Sequence, residues 1–208
     1  LGTLPAVNPR DPVQIQYTSG TTGFPKGVVL HHHGITNNSR HGFARNGMER
    51  GATIMVFMPL FHTGGCAMAI LGGVQFDCRM ILMRQFEPQC AIALIESEGA
   101  YGMMGVPTML IAMLEADRAH PRDFSSVKVA GSGGSMVPPE LIRQVTERLG
   151  CGFYTVYGQT ETSPLLTTTR TTDPFDDICY TVGQPLPQTE ISIRDPNTNT
   201  VLPLGTVG

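Results

Sequence analysis

Val127-Lys128-Val129-Ala130-Gly131-Ser132-Gly133-Gly134-Ser135 opens the stretch that decides the fold, and Phe153-Tyr154-Thr155-Val156-Tyr157 closes it. Residues 127–130 read as a short strand and the five that follow as a glycine loop. Residues 138–149 read as a helix: Pro138 and Pro139 suit its start, Leu141, Ile142, Val145 and Leu149 share one face, and Gly150 supplies a stop. Residues 153–157 return as a strand that runs into Gly158-Gln159-Thr160-Glu161. Strand, glycine loop, helix and strand in that order mark a unit of a parallel sheet.

Working outward, the same alternation recurs. Residues 13–17 and 28–30 read as strands around a glycine-rich loop, 34–46 as helix, 53–58 as an apolar strand, and 107–114 as helix with Pro107 in its first turn. The expected fold class is α/β, a mostly parallel sheet flanked by helices. Loops at the carboxyl ends of such strands are where open α/β sheets bind ligands.

Hydrophobic residues make up 41% of the 208 and charged ones 15%, so the chain can bury a sizeable core. A net charge of −3 without a basic face argues against nucleic acid as a partner. No apolar run approaches the roughly 20 residues a membrane helix needs. Cys66, Cys78, Cys90, Cys151 and Cys179 form no CxxC pair and read as free thiols of a reducing compartment, which places the protein in the cytoplasm. Oligomeric state is not legible.

The densest chemical signal is Tyr17-Thr18-Ser19-Gly20-Thr21-Thr22-Gly23-Phe24-Pro25-Lys26-Gly27. Its glycines let the backbone turn tightly and offer N–H groups to anionic oxygens. Thr18, Ser19, Thr21 and Thr22 add hydroxyl donors and Lys26 a compact positive charge, a set suited to a polyphosphate. It is not a Walker A motif, because Pro25 precedes the lysine and Gly27 follows it. His31, His32 and His33 come next; consecutive side chains diverge, which disfavours one shared metal ion.

Four further strings stand in order: Met58-Pro59-Leu60-Phe61-His62, Gly105-Val106-Pro107-Thr108, Tyr157-Gly158-Gln159-Thr160-Glu161 and Val182-Gly183-Gln184-Pro185. With the phosphate loop they make the whole chain resemble the adenylate-forming (AMP-binding) superfamily, of acyl-CoA synthetase or fatty-acid–CoA ligase type. The resemblance implies the central part of an adenylation domain, within that family's large N-terminal domain. The N-terminal strands, the ribose-binding Asp and the C-terminal lid domain with its lysine would lie outside residues 1–208.

By the same resemblance, Thr18, Ser19, Gly20, Thr21, Thr22, Gly23 and Lys26 would hold the β- and γ-phosphates of ATP. Gly133, Gly134 and Ser135 would line adenine. Tyr157, Gly158, Gln159 and Thr160 would surround the nucleotide, with the tyrosine ring stacking on the base and the threonine reaching the α-phosphate. Glu161 would hold Mg2+. His62 would border the acid's carboxylate, where amino-acid-activating relatives carry an Asp. Lys26, His62, Thr160 and Glu161 are thus the expected catalytic set. Gly105–Thr108 would wall an acyl tunnel, and eight methionines between 55 and 109 would suit an alkyl chain or simply pack the core. The implied reaction joins a carboxylic, here fatty, acid to ATP as an acyl-adenylate and then to coenzyme A. The alternatives are a ligase that loads a carrier protein, and a nucleotide-binding fragment without catalysis. A chain without the family's C-terminal lysine is expected to have little adenylation activity.

Overall fold

The computed structural model describes residues 5–19 and 23–208. Its first elements, β1 (Pro12–Thr18) and β2 (Lys26–His31), form an antiparallel hairpin with Thr18 opposite Lys26 and Ile15 opposite Val29. Helix α1 (His32–Arg45) follows at once, and Nδ1 of His31 accepts the Gly34 N–H at 2.8 Å, satisfying one of its free first-turn donors.

The main sheet has seven strands. β3 (Thr53–Val56), β4 (Arg79–Leu82), β5 (Gly102–Gly105), β6 (Val129–Gly133) and β7 (Gly152–Gly158) are parallel, in the spatial order β4-β3-β5-β6-β7. β8 (Leu165–Thr168) and β9 (Gln184–Pro185) extend it antiparallel beyond β7. A π-helix (Gly64–Leu71) running into α2 (Gly72–Gln75) connects β3 to β4. Helices α3 (Pro88–Glu98), α4 (Pro107–Ala119) and α5 (Pro139–Leu149) make the later crossovers, and α6 (Phe175–Tyr180) lies between β8 and β9. The largest apolar cluster joins the sheet to α3, α4 and α5, with Ile92, Ile95, Ile142 and Phe153 at most 1% exposed. Smaller clusters lie on the side of α1 and the π-helix.

The chain leaves β3 for β4 on one side and returns to β5 on the other. The crossover loops therefore diverge at the carboxyl ends of β3 and β5, where such sheets leave a crevice.

The deciding stretch folds as its pattern predicts over α5: Pro138 caps the helix, Pro139 is its first residue, and its four apolar positions are buried. The strand before it differs. It is displaced from 127–130 to Val129–Gly133, so half of the expected glycine loop is strand. The reason is close approach: a Cβ on Gly133 would sit 2.6 Å from the carbonyl oxygen of Val156 on β7. The apolar strand at 53–58 ends at Val56, and the helix at 107–114 continues to Ala119. The π-helix was not legible, because Gly64-Gly65 and Gly72-Gly73 bracket an apolar run of poor helical propensity. Among the described residues no helix is long and apolar enough to cross a membrane.

Candidate functional site

A cleft of about 900 Å³ opens over the carboxyl ends of the parallel strands. Four crossover segments supply its floor: Met58–Gly64 after β3, Val106 after β5, Gly133 and Gly134 after β6, and Gly158–Glu161 after β7. The hairpin supplies the facing wall with Thr18, Ser19 and Lys26. Lys26 and Glu161 thus share one cavity although 134 residues separate them in sequence.

The hairpin aims these groups by strand alternation. Gln14, Gln16 and Thr18 point to the face that Lys26, Val28 and Leu30 share from β2, because residues directly opposite lie on one side of a ribbon. That face turns inward. Gln14 Nε2 donates to Gln16 Oε1 at 2.8 Å and to Cys66 Sγ on the π-helix at 3.2 Å, and Gln16 Nε2 donates to the Phe61 carbonyl. The phosphate hairpin is therefore tied to the segment that carries His62.

His62 is held in one tautomer. Its Nδ1 accepts the Gly64 N–H at 2.9 Å, so in the neutral ring the proton sits on Nε2. His62 can then donate a hydrogen bond to an anionic oxygen in the cleft. Beside it, Thr63 is 1% exposed, and its Oγ1, in the cavity lining, has no hydrogen-bond partner within the protein. A buried hydroxyl left without a partner costs free energy.

A short 3-10 helix (Thr160–Thr162), packed against β2, carries Thr160 and Glu161 between β7 and β8. The Gln159 N–H donates to the Pro164 carbonyl at 2.9 Å, closing the loop on itself. Gly158 cannot be replaced freely: a Cβ there would collide with the Pro164 carbonyl oxygen. This is what the glycine of the Tyr157–Glu161 string does locally.

Behind the floor lies a smaller apolar chamber of about 40 Å³ between α1, the π-helix and strands β3 and β5. It shares Met58, Gly64, Met68, Met104 and Leu165 with the cleft, so the two adjoin. Tyr154, fully buried, lines it; burial pushes its phenol above the ordinary value, with a smaller opposing effect from a hydrogen bond to Asn46. Of the eight methionines, Met55, Met58, Met68, Met103, Met104 and Met109 line one or both cavities, whereas Met80 and Met83 line neither.

The structure thus brings Thr18, Ser19, Lys26, His62, Gly133, Gly134, Gly158, Gln159, Thr160 and Glu161 into one cavity lining. Gly23 and Ser135 are exposed and outside it, and Tyr157, half exposed, also does not line it. Gly20, Thr21 and Thr22 lie outside the described residues. The histidine run divides its work: His31 caps α1, and His33 Nδ1 lies 3.0 Å from Asn37 Nδ2. Sequence reasoning did not single out Thr63, Pro164 or Leu165. Only the adjacency of Thr63 to His62 could have flagged it.

The profile of the AMP-binding enzyme family matches residues 2–208. The chain belongs to that family. Within this AMP-binding family, it is 37% identical over 187 residues to a Bacillus subtilis protein, YngI, named as a candidate acyl-CoA synthetase; the match covers 89% of the chain and 34% of YngI. It is 34% identical over 206 residues to the mitochondrial medium-chain acyl-CoA ligase ACSF2 of Danio rerio, covering 95% of the chain and 33% of that protein. The crystal structure of ATP-bound MatB from Rhodopseudomonas palustris superposes with a TM-score of 0.84 at 26% identity, over 96% of this chain and 39% of that one. The chain therefore spans about a third of the length of the curated relatives it matches. The shared fold is the mixed α/β, mostly parallel sheet of adenylate-forming enzymes.

Proposed function

We propose that this chain is the central part of an adenylation domain that activates a carboxylic acid with ATP and passes the acyl group to coenzyme A. The observation that carries the reading is the convergence of Lys26, His62, Thr160 and Glu161 on one cleft at the strand ends. The names of the relatives, acyl-CoA synthetase and ligase, support the thiol acceptor.

The donor set fits a magnesium-bound nucleotide. The hydroxyls of Thr18, Ser19 and Thr160, the ammonium of Lys26 and the single carboxylate of Glu161 line one cleft. Among the described residues no three His, Cys, Asp or Glu side chains cluster around a metal position. Magnesium is commonly held by one or two carboxylates together with the substrate's phosphates. Glu161 would hold the ion, which would neutralise phosphate charge.

In the first half-reaction, a carboxylate oxygen forms a bond to the α-phosphorus of ATP and the bond to pyrophosphate breaks. Both reactants are anionic, so the protein's work is positioning and charge neutralisation. Thr18, Ser19 and Lys26 hold the leaving pyrophosphate. Thr160 donates to the α-phosphate, and Nε2–H of His62 orients the attacking carboxylate. The CoA thiol then attacks the adenylate carbonyl, its proton is lost, and AMP leaves. The apolar chamber takes the first part of the acid's alkyl chain. Its thioethers adapt to an alkyl group's shape, which supports a fatty acid. The five thiols, all free, support a reducing compartment such as the cytoplasm.

Calorimetric titration of the chain with ATP and Mg2+ tests the reading. Saturable one-to-one binding is expected, weakened about tenfold or more in Lys26→Ala and in Glu161→Gln; a tenfold loss corresponds to about 1.4 kcal/mol. Full affinity in both variants would overturn the assignment. Pyrophosphate exchange with a panel of carboxylates is expected to be weak for this chain alone. Turnover comparable to a complete synthetase would refute the proposal that it is only the central part.

A further inference from the structure

The loop that carries Thr160 and Glu161 is gripped by a side chain from the far end of the sequence. Asn38 Nδ2 on α1 donates to the Leu165 carbonyl at 2.7 Å and to the Thr162 carbonyl at 3.3 Å, and its Oδ1 accepts the Leu165 N–H at 3.0 Å. One amide thus occupies both backbone groups of the first residue of β8 and the carbonyl that ends the 3-10 helix. A second contact lies one turn earlier: a Cβ on Gly34 would sit 2.8 Å from Ser163 Oγ, so the start of α1 rests on the same loop. Asn38 itself is not part of the cleft lining.

We infer that Asn38 is a positioning residue that holds the Thr160–Leu165 loop, and with it Glu161, in place at the edge of the nucleotide cleft. Helix α1 continues directly from β2, whose first residue is Lys26. Whatever fixes α1 to the Thr160–Leu165 loop therefore holds that loop beside the base of the hairpin, where β2 packs against the 3-10 helix. The 3-10 helix is three residues long and cannot hold its own place. On the β7 side the loop is closed by the Gln159–Pro164 bond, and on the α1 side by Asn38. Displacement of a ligating group by about 1 Å can cost on the order of a hundredfold in a positioned reaction, so an anchor outside the cleft carries weight.

This inference rests on the reading of the cleft as a magnesium–nucleotide site, and the experiment separates the two. ATP is titrated calorimetrically into wild type, Asn38→Ala, Asn38→Asp and Asn37→Ala, with Mg2+ and again with EDTA. Asn37 neighbours Asn38, but among the described residues its side chain bonds only within α1, to the His33 carbonyl, the His33 ring and Arg40. Asn38→Ala should lose about 10- to 100-fold in affinity for ATP with Mg2+, the range seen when groups that orient metal ligands are removed. Its affinity in EDTA, which leaves out Glu161's ion, should fall much less. A merely structural role would scale both alike and leave the Mg2+ requirement unmoved. Asn38→Asp keeps the shape and the acceptor but loses both donated bonds, so it should show the same selective loss. It decides the matter should Asn38→Ala fail to fold. Asn37→Ala should match wild type. If wild type binds and both Asn38 variants keep its Mg2+ requirement and affinity, the inference falls and the cleft reading stands. If wild type shows no saturable binding, the cleft reading falls and takes the inference with it.

Discussion

The two walls of the cleft are built differently. The hairpin wall is a two-stranded ribbon whose outer face leaves Val13, Ile15, Tyr17 and Val29 between 42% and 70% exposed. The opposite wall rises from β6 and β7; every residue of β6 is buried, and Phe153 on β7 is 1% exposed. A ribbon of two strands is marginal by itself, while a central parallel strand is locked by neighbours on both edges and helices on its faces. Thr18, Ser19 and Lys26 therefore sit on the less stable element and the floor on the more stable one. Such a division suits a site that must admit a large anion and then surround it, since segments that move are drawn from the low-stability end of a fold.

The largest test of this contrast is Phe153→Ala. It should destabilise the chain by about 3–5 kcal/mol in urea unfolding, through lost burial and the cavity left behind. A cost below about 1 kcal/mol would mean that the β6–β7 wall is no more locked than the ribbon. A middle-sized test uses pH. Burial pushes the thiol of Cys151, next to the first residue of β7, up to about 11. The folded chain therefore holds that proton more tightly than the unfolded one. Its contribution is fully present below the unfolded value near 8.5 and is lost as pH rises toward 11, on the order of 3 kcal/mol in all. Unfolding free energies at pH 8 and pH 10.5 should fall more steeply for wild type than for Cys151→Ala; parallel slopes would refute the burial. The smallest effect belongs to the ribbon. Ile15→Ser on its outer face should change stability by less than about 0.5 kcal/mol, as surface substitutions do. A larger loss would show that this face packs against something in solution.

Legibility divides along the same line. The local devices could be read: Pro138 and Pro139 opening α5, Gly150 ending it in a left-handed conformation at φ +64°, and the glycine- and hydroxyl-rich phosphate loop. The boundaries of β6 could not be read, because Gly131 and Gly133 signal a loop by composition but serve close approach to β7 in fact. The π-helix escaped because its glycine-bracketed apolar run matches no helical template, yet it follows directly from His62 and Thr63 and supplies the Gly64 N–H that fixes the His62 tautomer.

The sequence by itself determined the α/β class and the family to which the chain belongs, because turns, caps and periodicity act over a few residues. Only the tertiary structure decided that Lys26 and Glu161 line one cavity, that Thr63 keeps an unpartnered hydroxyl, and that Asn38 holds a loop 127 residues away. Those facts follow from strand order. The reversal between β3 and β5 and the antiparallel return of β8 choose which loops meet, and pairing across a sheet depends on the packing of the whole chain.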